Sequence, residues 1–225
     1  MSNNADLKQK IRVWDVPTRV FHWSLATSFL GLFITGDSER WRDIHAWLGY
    51  TVLGLLAFRL IWGLIGSRYA RFSEFTRSPL EAIRYLLSLV KGNPHRYVGH
   101  NPAGAVAIYL LLALGLASGV SGWMVFEEIG GDAFEELHEI LANTMLAVVI
   151  VHILGVLLSS VLHRENLVRA MVTGNKVGER SESIESSRWI VGLLLIAMVI
   201  GIWGFALTGN LSLGTNSEAG ESQST

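Results

Sequence analysis

The sequence predicts an all-α integral membrane protein, a four-helix transmembrane bundle followed by a fifth, C-terminal transmembrane helix. Three observations predict it. Half of the 225 residues are hydrophobic and only 16% are charged, with a mean hydropathy of +0.38, the composition of a membrane protein rather than a soluble one. Five apolar runs are separated by polar or basic segments. Histidines recur inside or beside those runs at spacings that repeat the helical period. The formal net charge of −1 gives no indication of a nucleic-acid partner, and there is no cysteine. Disulfides, thiolate-held iron–sulfur clusters and covalent haem attachment through C-x-x-C-H are therefore excluded. Histidine remains as the natural metal ligand, and the chain has seven, at positions 22, 45, 95, 100, 138, 152 and 163.

In chain order, residues 1–19 are polar and basic, with Lys8, Lys10, Arg12 and Arg19. A charged segment before an apolar one also fits a signal peptide. No small-residue cleavage site is clear, and the apolar stretch carries a histidine with later counterparts, so residues 20–35 are read as the first span. Trp14 and Trp23 suit an interfacial belt. His22 stands near the start of this span; taken alone, it fits an interfacial side chain as well as a ligand.

The second span, residues 44–65, opens with His45, which lies at the opposite membrane face from His22 because the chain has crossed once. Arg59 follows His45 by 14 positions, on the same helix face. An arginine inside a span usually faces the bundle, a cavity or a partner anion. Carboxylates of a bound haem and snorkelling to the headgroups both remain open for it.

Residues 67–102 form a basic linker with a helix signal of its own. Ser78 is an N-cap with Glu81 three positions on, Pro79 takes the first helical position and Gly92 follows the end. At about 13 residues this helix is too short to span, and its apolar face points to a helix lying on the membrane surface. His95 and His100, in the loop after it, read as ordinary exposed residues. The third span, residues 102–126, has Asn101 as cap and Pro102 as first residue. Its Gly104, Gly115, Gly119 and Gly122 let helices or a flat ring system approach closely, with helix packing as the default.

An acidic loop follows, with six carboxylates from Glu127 to Glu139. They suit a helix start and also a docking surface for a basic soluble partner. The fourth span, residues 136–162, contains HEILANTMLAVVIVH, which begins at His138 and ends at His152. Fourteen positions are close to four turns, so both imidazoles share one face, about 21 Å apart along the axis. His163 would lie about 37 Å from His138, outside the hydrocarbon, and is excluded as a ligand. A polar segment leads to a fifth span near residues 189–207, and the tail from residue 208 has a disordered composition.

Lys and Arg residues number four in the N-terminal segment, six at 67–102 and five at 163–188, against two in the 36–43 hairpin and none at 127–137 or in the tail. The positive-inside rule puts the N-terminus in the cytoplasm and the C-terminus outside. Depth then pairs the histidines: His45 with His138 near the outer face, His22 with His152 towards the inner one, the inner match being looser. Two imidazoles per level suit a haem iron with both axial positions filled, whereas zinc wants four ligands or three and water. Without cysteine such haems are b-type, and with both axial positions taken the expected chemistry is electron transfer.

RVWDVPTRVFHW, HAWLGY, GHNPAGA and LHEILAN followed by His152 together resemble the bacterial di-haem cytochrome b561 family, which includes the b-type cytochrome subunits of nickel–iron hydrogenases. The resemblance covers about residues 10–175. It implies two b haems held at His22, His45, His138 and His152, and electron passage between the quinone pool and a periplasmic redox partner, such as a c-type cytochrome or a hydrogenase subunit. The expected organisation is a haem-binding four-helix domain at 1–175, a polar cytoplasmic linker at 176–187, a fifth helix at 188–207 and a periplasmic tail at 208–225, in the bacterial inner membrane. An electron-carrying subunit is the leading expectation. The alternatives are a self-sufficient quinone-linked oxidoreductase, such as a superoxide oxidase, and a non-redox structural or transport protein.

Overall fold

In the computed structural model, which describes residues 8–92 and 95–208, the element order is β1 (Gln9–Arg12), α1 (Val16–Thr35), α2 (Arg42–Ile65), α3 (Phe72–Phe75), α4 (Pro79–Val90), α5 (Pro102–Phe126), α6 (Asp132–Leu162), α7 (Leu167–Thr173), β2 (Asn175–Gly178) and α8 (Trp189–Leu207). Helices α2, α5, α6 and α8 are each long and apolar enough to cross a membrane. The 20-residue α1 is more polar and packs along α2 and α8. At about 1.5 Å per residue it matches a hydrocarbon core of about 30 Å. The tail expected to be disordered lies outside the described residues, apart from Thr208.

The helix ends follow the local chemistry. Asp15 caps α1 by accepting from the Thr18 amide at 2.8 Å, with Pro17 in the first turn. Asn101 caps α5 through the Gly104 amide at 2.7 Å, and Ser78 caps α4 through the Glu81 amide. Each cap satisfies an amide that the helix itself leaves open. Helix α6 begins at Asp132, one turn before its expected start, because Asp132 and Glu135 sit favourably at the positive end of the helix.

Helix α1 packs on α2, α2 on α5 and α5 on α6. The histidines are carried by three of these helices: His22 by α1, His45 by α2, and His138 and His152 by α6. Leu55, Leu56, Val52 and Leu112 are buried where α2 meets its neighbours. The wide apolar surfaces of α6 and α8 are exposed, as lipid contact requires.

At the end of the bundle that carries the basic segments, the chain builds a folded cap that contains strand, an element absent from the sequence expectation. β1 pairs antiparallel with β2, with Ile11 opposite Lys176 and Arg12 opposite Asn175. The amides of Val13 and Trp14 both donate to the Gly174 carbonyl. Ile11, Val13, Trp14, Tyr69, Ala170 and Ile184 form its core. The segment expected as a polar linker at 176–187 is thus folded onto the N-terminal strand. Helix α4 buries Ala82, Tyr85 and Leu89 and packs on α5, leaving Leu80, Ile83, Leu87 and Val90 exposed. It therefore has two apolar faces, one packed and one open.

Candidate functional site

At the acidic end of the bundle, His45 of α2 and His138 of α6 face each other with ring centres 6.2 Å apart and planes 85° apart. Their surroundings are alike. His45 Nδ1 lies 3.1 Å from the Leu32 carbonyl and 3.2 Å from Thr35 Oγ1. His138 Nδ1 lies 2.9 Å from the Ser118 carbonyl and 3.2 Å from Ser121 Oγ. A carbonyl only accepts, so each Nδ1 carries the proton and donates. In a neutral imidazole with this tautomer Nε2 is the atom that carries the lone pair and can bind a metal. Each hydroxyl donates to a carbonyl of its own helix, Thr35 to Gly31 at 2.8 Å and Ser121 to Ser118 at 3.0 Å. Both hydroxyl oxygens are therefore free to accept from the imidazole.

The spacing fits one metal centre between the rings. Imidazole nitrogen binds a metal at about 2 Å, with the ring centre about 1 Å further on, so two rings on opposite sides of one ion have centres about 6 Å apart. Gly122 makes this possible on the α5 side, because a Cβ there would stand 2.8 Å from His138 Cε1. The sequence offers Gly122 helix packing by default, with close approach of a flat ring system as the alternative; the structure sets it against an imidazole instead. Among the described residues no group of three or more His, Asp and Glu side chains could close around a bare metal ion. Two imidazoles per level suit a centre that brings its own equatorial ligands.

At the basic end, His22 of α1 and His152 of α6 are half-buried and within electrostatic reach of each other. Among the described residues their rings do not make the contact that His45 and His138 make. His22 Nδ1 is sealed from solvent without a hydrogen-bond partner.

His100 joins this end, whereas its loop position predicts an exposed residue. Its ring lies between Trp14 and Phe75, with centres 4.6 Å from each. Its Nδ1 is buried and unpartnered, and it is within electrostatic reach of Arg59, His152 and His22. Burial, then the charge of Arg59, lower its pKa from 6.5 to about 3, so it is neutral. The usable signal was GHNPAGA itself: a histidine two positions before the first helical proline is carried to the bundle's edge by the cap of α5. His95 is exposed, and His163 ends α6 with its Nδ1 on the Ser159 carbonyl at 2.9 Å.

Arg59 is 4% exposed and turns inward, so it does not snorkel. It donates to the Ala70 carbonyl at 2.9 Å and lies over the rings of Phe72 and Phe75. The buried Asp15 lies within electrostatic reach and also accepts from the Trp62 indole at 3.0 Å. Arg59 thus places a buried positive charge within electrostatic reach of His100 at this end of the bundle.

Comparison with known proteins gives one consistent picture. The model of the prokaryotic cytochrome b561 family matches residues 13–174. A probable Ni/Fe-hydrogenase B-type cytochrome subunit from Rhizobium leguminosarum bv. viciae is 24% identical, over 76% of this chain and 90% of its own length. Proteins of the same description from Rhodobacter capsulatus and Azotobacter vinelandii are 23% and 24% identical, over 75% and 76% of this chain and 82% and 92% of their own lengths. No solved structure matches the chain significantly.

Proposed function

The chain belongs to the prokaryotic cytochrome b561 family, and from that premise we propose that it is a di-haem membrane cytochrome relaying electrons across the bilayer between the quinone pool and a redox partner. In this reading His45 and His138 hold one b haem at the acidic end, and His22 and His152 hold the second at the basic end. The two histidine pairs would each hold a haem, which when bound would supply one-electron chemistry. The observation that carries the reading is the His45–His138 pair, with opposed rings and both Nδ1 atoms tied to carbonyls of neighbouring helices.

The protein's own part is positional. Ser118, Ser121, Leu32 and Thr35 fix ring orientation and tautomer at the acidic end. Arg59 offers its remaining donors to the carboxylates of the group at the basic end, and Asp15 offsets its charge. The stacking of two sites along α6, about 21 Å apart, divides the crossing into steps. The excess of Lys and Arg at one end of the bundle supports placing that end in the cytoplasm and the acidic end towards a periplasmic partner. The relatives' description as Ni/Fe-hydrogenase cytochrome subunits supports a hydrogenase as that partner.

The test is to add a short-chain quinol to the purified chain and follow the b-type haem spectrum. Reduction of two haems per chain is expected. A haem-free protein, or haems that no quinol or quinone can reduce or oxidise, would contradict the reading.

A further inference from the structure

A second site lies apart from the histidines, where the C-terminal end of α2 meets the N-terminal end of α8. A cavity of about 450 Å3 opens there, lined by Ser67, Arg68, Arg71, Ser183, Glu185 and Arg188 among others. Two polar groups in its wall are sealed from solvent and have no hydrogen-bond partner, Ser67 Oγ and Arg71 Nε. Ser67 is 9% exposed. Its carbonyl serves the turn that follows, accepting from the Ala70 and Arg71 amides, while its hydroxyl has nothing to bond. A buried hydroxyl and a buried guanidinium N–H without partners are costly unless something outside the chain meets them.

The charge identifies the class of ligand. Glu74 pairs with Arg71 at 3.0 Å and stands 3.8 Å from Arg68, and Glu185 adds a second carboxylate at the cavity. Three arginines against these two acids leave an excess of positive charge. Among the described residues the Arg188 guanidinium has no partner. Arginine, serine hydroxyls and the positive end of α8, which begins directly after Arg188, are together the donor set for a phosphate oxygen.

The flanks identify the carrier of that phosphate. Leu64 and Ile65, immediately before the cavity on α2, are 72% and 71% exposed, and Trp189 and Ile190, immediately after it on α8, are 58% and 57% exposed. A polar seat continuous with lipid-facing side chains of two spanning helices, with a tryptophan at the boundary, has the geometry of a headgroup site. We propose that this cavity binds the phosphate of an anionic phospholipid, whose acyl chains lie along α2 and α8. The lipid would then bridge the fifth helix to the bundle at a point where α2 and α8 make little direct contact. The proposal is independent of the haem assignment.

The test uses the full-length protein, delipidated in mild detergent, with its thermal unfolding midpoint followed against added phosphatidylglycerol, phosphatidylcholine or inorganic phosphate. Phosphatidylglycerol is expected to raise the midpoint at concentrations where the other two do not. Arg188→Gln and Arg71→Gln are each expected to raise the phosphatidylglycerol concentration required by roughly fivefold, and Ser67→Ala to raise it without any change of charge. Arg84→Gln, on the exposed surface of α4, removes one charge elsewhere and is expected to leave the response unchanged. An equal response to phosphatidylcholine, an equal response to inorganic phosphate, or an undiminished response in the Arg188, Arg71 and Ser67 variants would each overturn the proposal.

Discussion

Gly122 lies against the imidazole of His138 so closely that a Cβ would stand 2.8 Å from the ring. The ring is held from the same helix by the Ser118 carbonyl and the Ser121 hydroxyl, so it cannot swing aside without losing both. Gly122→Ala is therefore expected to dislodge His138 and to reduce bound haem from two per chain towards one, with the helical circular dichroism preserved. Gly119 is the control. It faces Leu53 of α2, so Gly119→Ala is expected to lower the unfolding midpoint without selective loss of one haem.

Thr35 and Ser121 act on His45 and His138 through hydrogen bonds rather than as ligands. Thr35→Val and Ser121→Ala leave the Leu32 and Ser118 carbonyls in place. Each variant is expected to keep two haems and to shift the midpoint potential of one of them, measured by redox titration, because an imidazole's partner tunes its basicity. The double variant is expected to bind the acidic-end haem about 10-fold or more weakly.

Asp15 is fully buried and serves three partners: the Thr18 amide, the Trp62 indole and, through space, Arg59. Asp15→Ala leaves a buried guanidinium without its counter-charge and a helix without its cap. A loss of about 3–5 kcal/mol is expected, read as a lower unfolding midpoint. Asp15→Asn keeps the cap and is expected to recover part of that loss.

His100→Phe preserves the aromatic stack of Trp14 and Phe75 and removes both ring nitrogens. The expected result is a folded protein with two haems per chain and a changed midpoint potential for the basic-end haem alone. An unchanged potential at both haems would make His100 a packing residue.

The sequence made the spans and the acidic-end site legible for physical reasons. Asn101 with Pro102 and Ser78 with Pro79 mark helix starts that the backbone requires, and the interval from His138 to His152 repeats the helical period. His100 was not legible, because it lies outside any periodic segment and its burial depends on Trp14 and Phe75, distant in sequence. The β1–β2 pairing was hidden for the same reason: Gln9 to Arg12 alternates weakly and finds its partner more than 160 positions later. Gly122 looked like its neighbouring glycines, since only the opposing side chain, His138 rather than Leu53, distinguishes it from Gly119.

The most direct test of the central claim is the haem content of four single variants, measured as pyridine haemochrome per folded chain. The account predicts two b haems in the parent protein, and one in each of His45→Leu, His138→Leu, His22→Leu and His152→Leu. The His45 and His138 variants should lose the same redox transition, and the His22 and His152 variants the other. Two haems retained in any of the four, or His45 and His138 variants that lose different transitions, would contradict it.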